Sequence, residues 1–239
     1  MSINIETISK SICNFKRCIT PDNYKNKNAS VINAGPVNKI KLAVKEKCRG
    51  NIIQIGKNSN AALTIKIVGN NNYIFIGDNC SLNGLTIKVK NNSSEIYIGN
   101  GVTCSGNGLF AVGQNSNAEH SNLLVGDDVM MAKNCSVFTS DNHPIYELAT
   151  GKRINEPKAD VIIESHVWLG QGATINKSVT VGACSIIGAG SLVTKNIDRF
   201  SLVGGVPAKL IRSDVFWSRN DSNESKTSAN SFIERFKES

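Results

Sequence analysis

Between Ile163 and Val193 a large aliphatic residue returns every six positions, as Ile163, Leu169, Ile175, Val181, Ile187 and Val193. Four residues after each of the first five come Val167, Ala173, Val179, Ser185 and Ser191, mostly small. Gly170, Gly182 and Gly188 directly follow three of the aliphatic residues. A period of six fits neither the 3.6 of a helix nor the two of an alternating strand. It fits a prism-shaped solenoid in which six residues make one flat side and a turn. The large residue points inward, the small one sits near the corner, and glycine or a short polar residue makes the turn. Three such sides give a coil of about 18 residues.

The pattern continues upstream with longer turns. Ile55-Gly56, Ile76-Gly77, Ile98-Gly99 and Val125-Gly126 echo one another, and Leu63–Ile67 resembles Leu85–Val89 and Ile40–Val44. Asn-rich inserts such as Asn70-Asn71-Asn72 and Asn91-Asn92 lengthen these coils. Val125, Met131 and Val137 keep the six-residue step, which resumes only at Ile163, so residues 138–160 leave the prism as a loop. A long loop on a rigid solenoid is where function concentrates. The chain thus divides into an N-terminal extension over 1–30, a β-helix over 31–205 with its excursion at 138–160, and a C-terminal segment over 206–239. Ile5, Ile8, Ile12, Phe15 and Ile19 predict an amphipathic helix over 3–19. Phe232 and Phe236 suggest a short terminal helix, and residues 218–229 read as a flexible linker.

Composition agrees with many short strands: aromatics are only 6% of 239 residues. The net charge is +8, and residues 1–50 carry ten Lys/Arg against three Asp/Glu. Lys39, Lys41, Lys45, Lys47 and Arg49 alternate through the first coil, so several should share one outward face able to meet an anionic polymer. The plainer reading of this charge is a solubilising surface. It comes with no recognised nucleic-acid module. Seven cysteines (Cys13, Cys18, Cys48, Cys80, Cys104, Cys135 and Cys184) show no paired spacing. They suggest free thiols in a reducing compartment, with neither a disulfide framework nor a metal site. No apolar run reads as a signal peptide or membrane span, which points to the cytoplasm.

Three histidines are present, His120, His143 and His166. His143 lies in the excursion, within Ser140-Asp141-Asn142-His143-Pro144, and is the best candidate for a general base near neutral pH. Asp141 is placed to orient its ring. His120 belongs to a polar turn, and His166 reads as structural on an outward coil face. Trp168 stands between two inward residues, so it should point outward as a stacking platform or a subunit contact.

The hexapeptide array, the Ser-Asp-Asn-His-Pro loop, the His166-Val167-Trp168-Leu169-Gly170 resumption and Gly205-Val206-Pro207-Ala208-Lys209 resemble the hexapeptide-repeat acyltransferases. Within them the chain resembles the sugar and capsular or sialic-acid O-acetyltransferases, most specifically over about 125–212. That resemblance does not cover the two ends; it implies an all-β, left-handed parallel β-helix, to which the apolar spacing adds short helical N- and C-terminal extensions. It also implies a homotrimer with active sites between subunits, acetyl-CoA as donor, and a carbohydrate acceptor, polymeric and anionic in the best-fitting case. By resemblance His143 and Trp168 are active-site residues with Asp141 beside the base. Trp168, Gly170, Gly188 and Ala189 would border the pantetheine, while Lys195, Pro207 and Lys209 would lie at the adenosine-phosphate end. No metal is required by such chemistry.

Rivals remain at this stage. An N-acetyltransferase acting on an amino sugar would use the same scaffold. A γ-type carbonic anhydrase also uses a hexapeptide prism, with zinc on three histidines. A non-catalytic solenoid would bind no CoA.

Overall fold

The aliphatic column runs down the centre of the molecule: Ile163, Leu169, Ile175, Val181, Ile187 and Val193 are all fully buried. Val167, Ala173, Val179, Ser185 and Ser191 are buried as well, at the corners. This is a computed structural model describing residues 25–26, 29–33, 39–113, 120–155 and 159–237. The helix expected over 3–19 lies outside the described residues.

Strands stack in three parallel ladders, one per side of the prism. The first side holds Ala29–Asn33, Asn51–Ile55, Tyr73–Ile76, Glu95–Ile98, Leu123–Val125, Val161–Ile163 and Thr180–Val181. The second holds Thr103–Cys104, Met130–Met131, Trp168–Leu169, Ile186–Ile187 and Leu202–Gly204. The third holds Lys39–Val44, Leu109–Val112, Ser136–Phe138, Thr174–Ile175 and Leu192–Val193. Asn60–Ile67 and Ser81–Val89 are long enough to bend round the corner and serve the second and third sides together. Each inward side chain lies over its counterpart in the next coil, as in the register Ile53–Ile74–Ile96–Leu123–Val161. Burying one such Val, Leu or Ile stabilises by about 1.5–3 kcal/mol, and every coil depends on its neighbours for that burial.

The glycines of the repeat do a different task from the one expected. Gly56, Gly77, Gly99 and Gly126 form a column in which successive coils touch. A Cβ on Gly77 would stand 2.6 Å from Asn100 Oδ1 and 2.8 Å from the Gly99 backbone, and one on Gly126 would stand 2.6 Å from Ser165 N. Close approach, not turn conformation, requires glycine there. The left-handed backbone falls two residues later, on Asn58, Asn79, Gly101, Asp128, His166, Cys184 and Phe200. Most of these are residue types that tolerate that region. Between the two, side chains satisfy the corner amides of the preceding coil: Lys57 N–H donates to Asp78, Asp78 N–H to Asn100, Asn100 N–H to Asp127, and Asp127 N–H to Ser165 Oγ. A similar ladder runs through the Asn-rich turns, where Arg49 N–H donates to Asn70 and Asn70 N–H to Asn92, so these inserts add hydrogen bonds as well as length.

At the C-terminal end, Lys209–Arg212 folds back antiparallel on Leu202–Gly204. An α-helix, α1, then spans Asn223–Lys237. Ser222 caps it by accepting from Ser225 N–H at 3.1 Å. The terminal helix expected from Phe232 and Phe236 is present, and it also occupies most of the stretch read as a linker over 218–229. What orders that stretch is apolar: Phe236 packs with Ala183 and Cys184 on the prism, joined by Phe200, Phe232 and Ile233. Beneath them the carboxylate of Glu164 receives Arg199 through both oxygens, at 2.7 and 2.9 Å, and Arg199 lies 5.0 Å over the Phe236 ring.

Candidate active site

The excursion departs at the corner that ends the third side. Thr139 Oγ1 accepts from Gly113 N–H at 2.8 Å and Ser140 Oγ donates to Gly113 O at 3.0 Å, so the loop starts from a fixed point. It then runs as a small hairpin. Tyr146 and Arg153 pair antiparallel, and Ile154 N–H donates to Ile145 O. Ile145, Tyr146, Leu148 and Ile154 are exposed apolar side chains on it.

His143 projects from this hairpin into solvent. Its backbone is set by Asn155, whose Nδ2 donates to His143 O at 2.9 Å and to Asp141 Oδ2 at 2.7 Å. Among the described residues no hydrogen bond joins Asp141 to the His143 ring. Its carboxylate is taken by Lys177 Nζ at 2.7 Å and by Asn155. Partial burial tends to raise the Asp141 carboxyl, but the bonds from Lys177 and Asn155 outweigh it and hold the group below its ordinary value. Lys90 Nζ reaches Asn142 Oδ1 at 3.2 Å on the other flank. Asp141 and Asn142 therefore fasten the loop while His143, next in sequence, stays open.

Trp168 is outward-facing as expected, 37% exposed, in register with Met130 and Ile186 on the second side. The Trp217 indole covers part of it, with ring centroids 6.0 Å apart at 48°. His143 and Trp168 leave from different sides of the prism, and among the described residues no hydrogen bond or ring contact joins them. Sequence reasoning passed over Trp217. The available signal was the apolar run Val215-Phe216-Trp217 in a largely polar tail.

His166 is not on an outward face. It is buried because the C-terminal segment folds over its corner. Its Nδ1 meets Asp128 Oδ2 at 2.7 Å and its Nε2 meets Trp217 O at 2.9 Å. Both nitrogens are engaged inside the chain, so neither is free for a metal ion. Among the described residues no group of three or more His, Cys, Asp or Glu side chains gathers as metal ligands. The five described cysteines are buried and free. Burial pushes the Cys135 thiol up to about 11 and Cys184 up to about 12, so neither is a ready nucleophile at neutral pH.

Most of the residues assigned to the donor lie along one edge, where the second and third sides meet in the last coils. Gly170 packs against Gly188 and Ala189, Gly188 approaches Val203 O, and Lys209 pairs with Gly204. Ala189, Gly190, Pro207 and Lys209 are exposed there, and a Cβ on Gly190 would meet nothing within 4 Å. A shallow edge of small residues ending in an exposed cation suits a thin chain tipped with phosphates. Lys195 is exposed at the opposite edge, after Leu192–Val193 and before the bridge of Ile197 to Val181.

The basic residues divide between a face and a corner. Lys41 is exposed on the third side, while Ile40, Leu42 and Val44 pack on the core. Lys45, Lys47 and Arg49 belong to the turn that follows, where Arg49 donates to the carbonyls of Glu46 and Cys48. Two further lysines continue the face, since Lys66 and Lys88 are in-register neighbours between Ala43 and Ala111.

Comparison with known proteins identifies the repeat and relatives of most of the chain. The family described as bacterial transferase hexapeptide (six repeats) matches residues 160–195. A polysialic acid O-acetyltransferase of Neisseria meningitidis is 32% identical over 179 residues, 66% of this chain and 80% of that protein. One from Escherichia coli O1:K1 / APEC is 38% identical over 103 residues, 43% of this chain, and the match spans only 33% of that relative's length. The solved polySia-specific acetyltransferase NeuO superposes with a TM-score of 0.65 at 29% identity, covering 88% of this chain and 92% of that one.

Proposed function

This chain belongs to the hexapeptide-repeat acetyltransferases, and we propose that it is an acetyl-CoA-dependent O-acetyltransferase acting on a sugar hydroxyl of a bacterial surface polysaccharide. The observation that carries this reading is the match along 80% of a polysialic acid O-acetyltransferase. Capsular polysialic acid is accordingly the first acceptor to test, with lipopolysaccharide sugars next.

In this reading His143 removes the acceptor hydroxyl proton as the oxygen attacks the thioester carbonyl. It then returns the proton to the departing thiolate sulfur. Base assistance of this kind is worth about 10²–10⁴-fold. Transfer is direct, a route favoured by the raised thiols of Cys135 and Cys184. The edge at Gly170, Gly188 and Ala189 carries the pantetheine, and Lys209 with Pro207 meets the phosphate end. Lys195, across the third side from that edge, would have to reach it from a different direction.

The coil is left-handed in this proposal and the working unit is a homotrimer in the cytoplasm. The separation of His143 from Trp168 within one chain favours that assembly, because a second subunit can set one against the other. The exposed Ile145, Tyr146, Leu148 and Ile154 give the excursion an apolar surface to seat there.

The test is acetyl transfer from labelled acetyl-CoA to a panel of glycans, including sialylated ones, read by mass spectrometry. Alkali-labile product identifies an ester. Alkali-stable acetyl on an amino sugar replaces the proposal by N-acetylation, and no transfer with no CoA binding replaces it by a non-catalytic solenoid.

A further inference from the structure

His166 occupies a place that neither the prism nor the proposed chemistry requires. Its corner position is filled in other coils by Asn58, Asn79, Gly101 and Asp128. At His166 the ring is instead drawn into the C-terminal segment. Trp217 stacks on one face at 4.4 Å and 6°, and Phe232 of α1 stacks on the other at 4.9 Å and 7°. Two hydrogen bonds join the same pair of residues in opposite senses: Trp217 Nε1–H donates to His166 O at 2.9 Å, and His166 Nε2 faces Trp217 O at 2.9 Å. The Trp217 indole is therefore fixed in position and in tilt.

A second anchor holds the same segment from outside. Asp128 accepts from His166 Nδ1 through one oxygen and from Arg219 through the other, at 2.6 and 3.1 Å, and the Arg219 guanidinium lies 5.8 Å from the Trp217 ring centre. Arg219 also reaches Thr103 Oγ1 and Gly101 O in the neighbouring coils. So much restraint on one indole has a visible result. Trp217 is buried, and its ring also lies against Trp168. An outward tryptophan on a flat β face has several rotamers open to it. The wall made by Trp217 removes those that lean over the corner.

Given the active-site role that the family resemblance implies for Trp168, we propose that Trp217, clamped by His166 and Asp128, is a positioning residue that holds the Trp168 ring in its binding orientation. The C-terminal segment is then a working part of the active site, although it touches no reacting atom.

The chain has two tryptophans, so replacing Trp217 leaves Trp168 as the sole indole fluorophore. Trp217→Phe keeps an aromatic wall and Trp217→Ala removes it. In the full-length protein, acrylamide should quench Trp168 at least about twofold more efficiently in the Ala variant than in the Phe variant, as added indole exposure permits. The Ala variant should raise KM for one substrate about tenfold with little change in kcat, and the Phe variant should restore most of it. In a Trp168→Ala background the Trp217→Ala effect on KM should vanish, because the two act through one ring. Equal quenching in the Phe and Ala variants overturns the clamp. So does a Trp217 effect that persists without Trp168. If Trp217→Ala does not fold, Asp128→Asn loosens the same segment with both indoles kept. Easier quenching of the exposed indole and a higher KM then support the clamp, and wild-type values for both overturn it. Should Trp168→Ala leave both KM values unchanged, the role given to Trp168 fails separately, while the quenching comparison still decides whether Trp217 sets its orientation.

Discussion

Asp141 and Lys177 form the ion pair that closes the base of the excursion, Oδ2 to Nζ at 2.7 Å. The pair ties the loop to the coil that follows it, while Lys90 and Asn142 tie it to an earlier one. His143 is thereby presented on a fastened support and remains unencumbered.

Replacing His143 by Ala should lower turnover by at least about 10²-fold with melting temperature unchanged, since the loop side chain contributes nothing to the core. Steady-state kinetics and a thermal melt on the same preparation check both halves. Near-normal turnover removes His143 from the role of base.

The loop fastening should be acid-sensitive. The Asp141 carboxyl is held below its ordinary value of 3.8. A carboxyl depressed in the folded state contributes stability above its unfolded value, and that contribution fades as pH falls through the folded value. Protease sensitivity of the 141–155 hairpin should therefore rise at strongly acid pH in the wild type. Asp141→Asn should show the raised sensitivity already at pH 7, with a loss of stability below about 1 kcal/mol because the pair is partly exposed. Identical acid profiles for the two proteins would contradict this.

Trp168→Ala should weaken binding of acceptor or donor about tenfold with a small stability loss, since the ring is part-exposed on a β face. Isothermal titration with CoA and sedimentation of the same variant separate the two possibilities. Dissociation of an oligomer with unaltered affinity in the active species would make Trp168 a packing residue.

Lys41, Lys66 and Lys88 lie on one side of the prism, and the register between Lys66 and Lys88 puts like charges side by side, which is unfavourable without an anion to share. Changing all three to Gln should raise KM for a long anionic acceptor several-fold at low salt and leave a neutral acceptor unaffected. At about 0.15 M salt the reach of such charges is about 8 Å, so the difference should shrink. An equal response from both acceptors is the result that defeats this prediction.

Glu164 is buried and pairs with the half-buried Arg199 beneath the terminal helix. Glu164→Ala removes the carboxylate that both Arg199 and the Ala183 N–H use and should destabilise by about 1–3 kcal/mol. Urea denaturation measures this directly. A loss under 1 kcal/mol would mean Arg199 finds sufficient compensation at Phe236.

The prism was legible because its signal is one-dimensional: Ile163 to Val193 repeat at fixed spacing, and spacing is what a sequence displays. The excursion was legible for the same reason, as the gap between Val137 and Ile163. Contacts that depend on the tail returning to the body were not. His166, Asp128 and Trp217 meet across 38 and 51 residues, and no local rule links them. Asp141 sits two positions from His143, yet its partner proved to be Lys177 in the next coil, because neighbours in a solenoid are set by coil pitch and not by chain distance. Lys195 and Lys209 were grouped as one phosphate-binding end, but a full side of the prism separates them.

The column of Gly56, Gly77, Gly99 and Gly126 has a consequence for how such a chain can change over generations. Coils meet there with no room for a methyl group, whereas a few residues away the turns absorb inserts of varied length. The paired register steps lengthen from 21 to 27 residues within the N-terminal half. Lineages can therefore drift freely in gap length while remaining frozen along that single line. Alignments of diverged members should break up at the Asn-rich turns and re-anchor at each of these glycines.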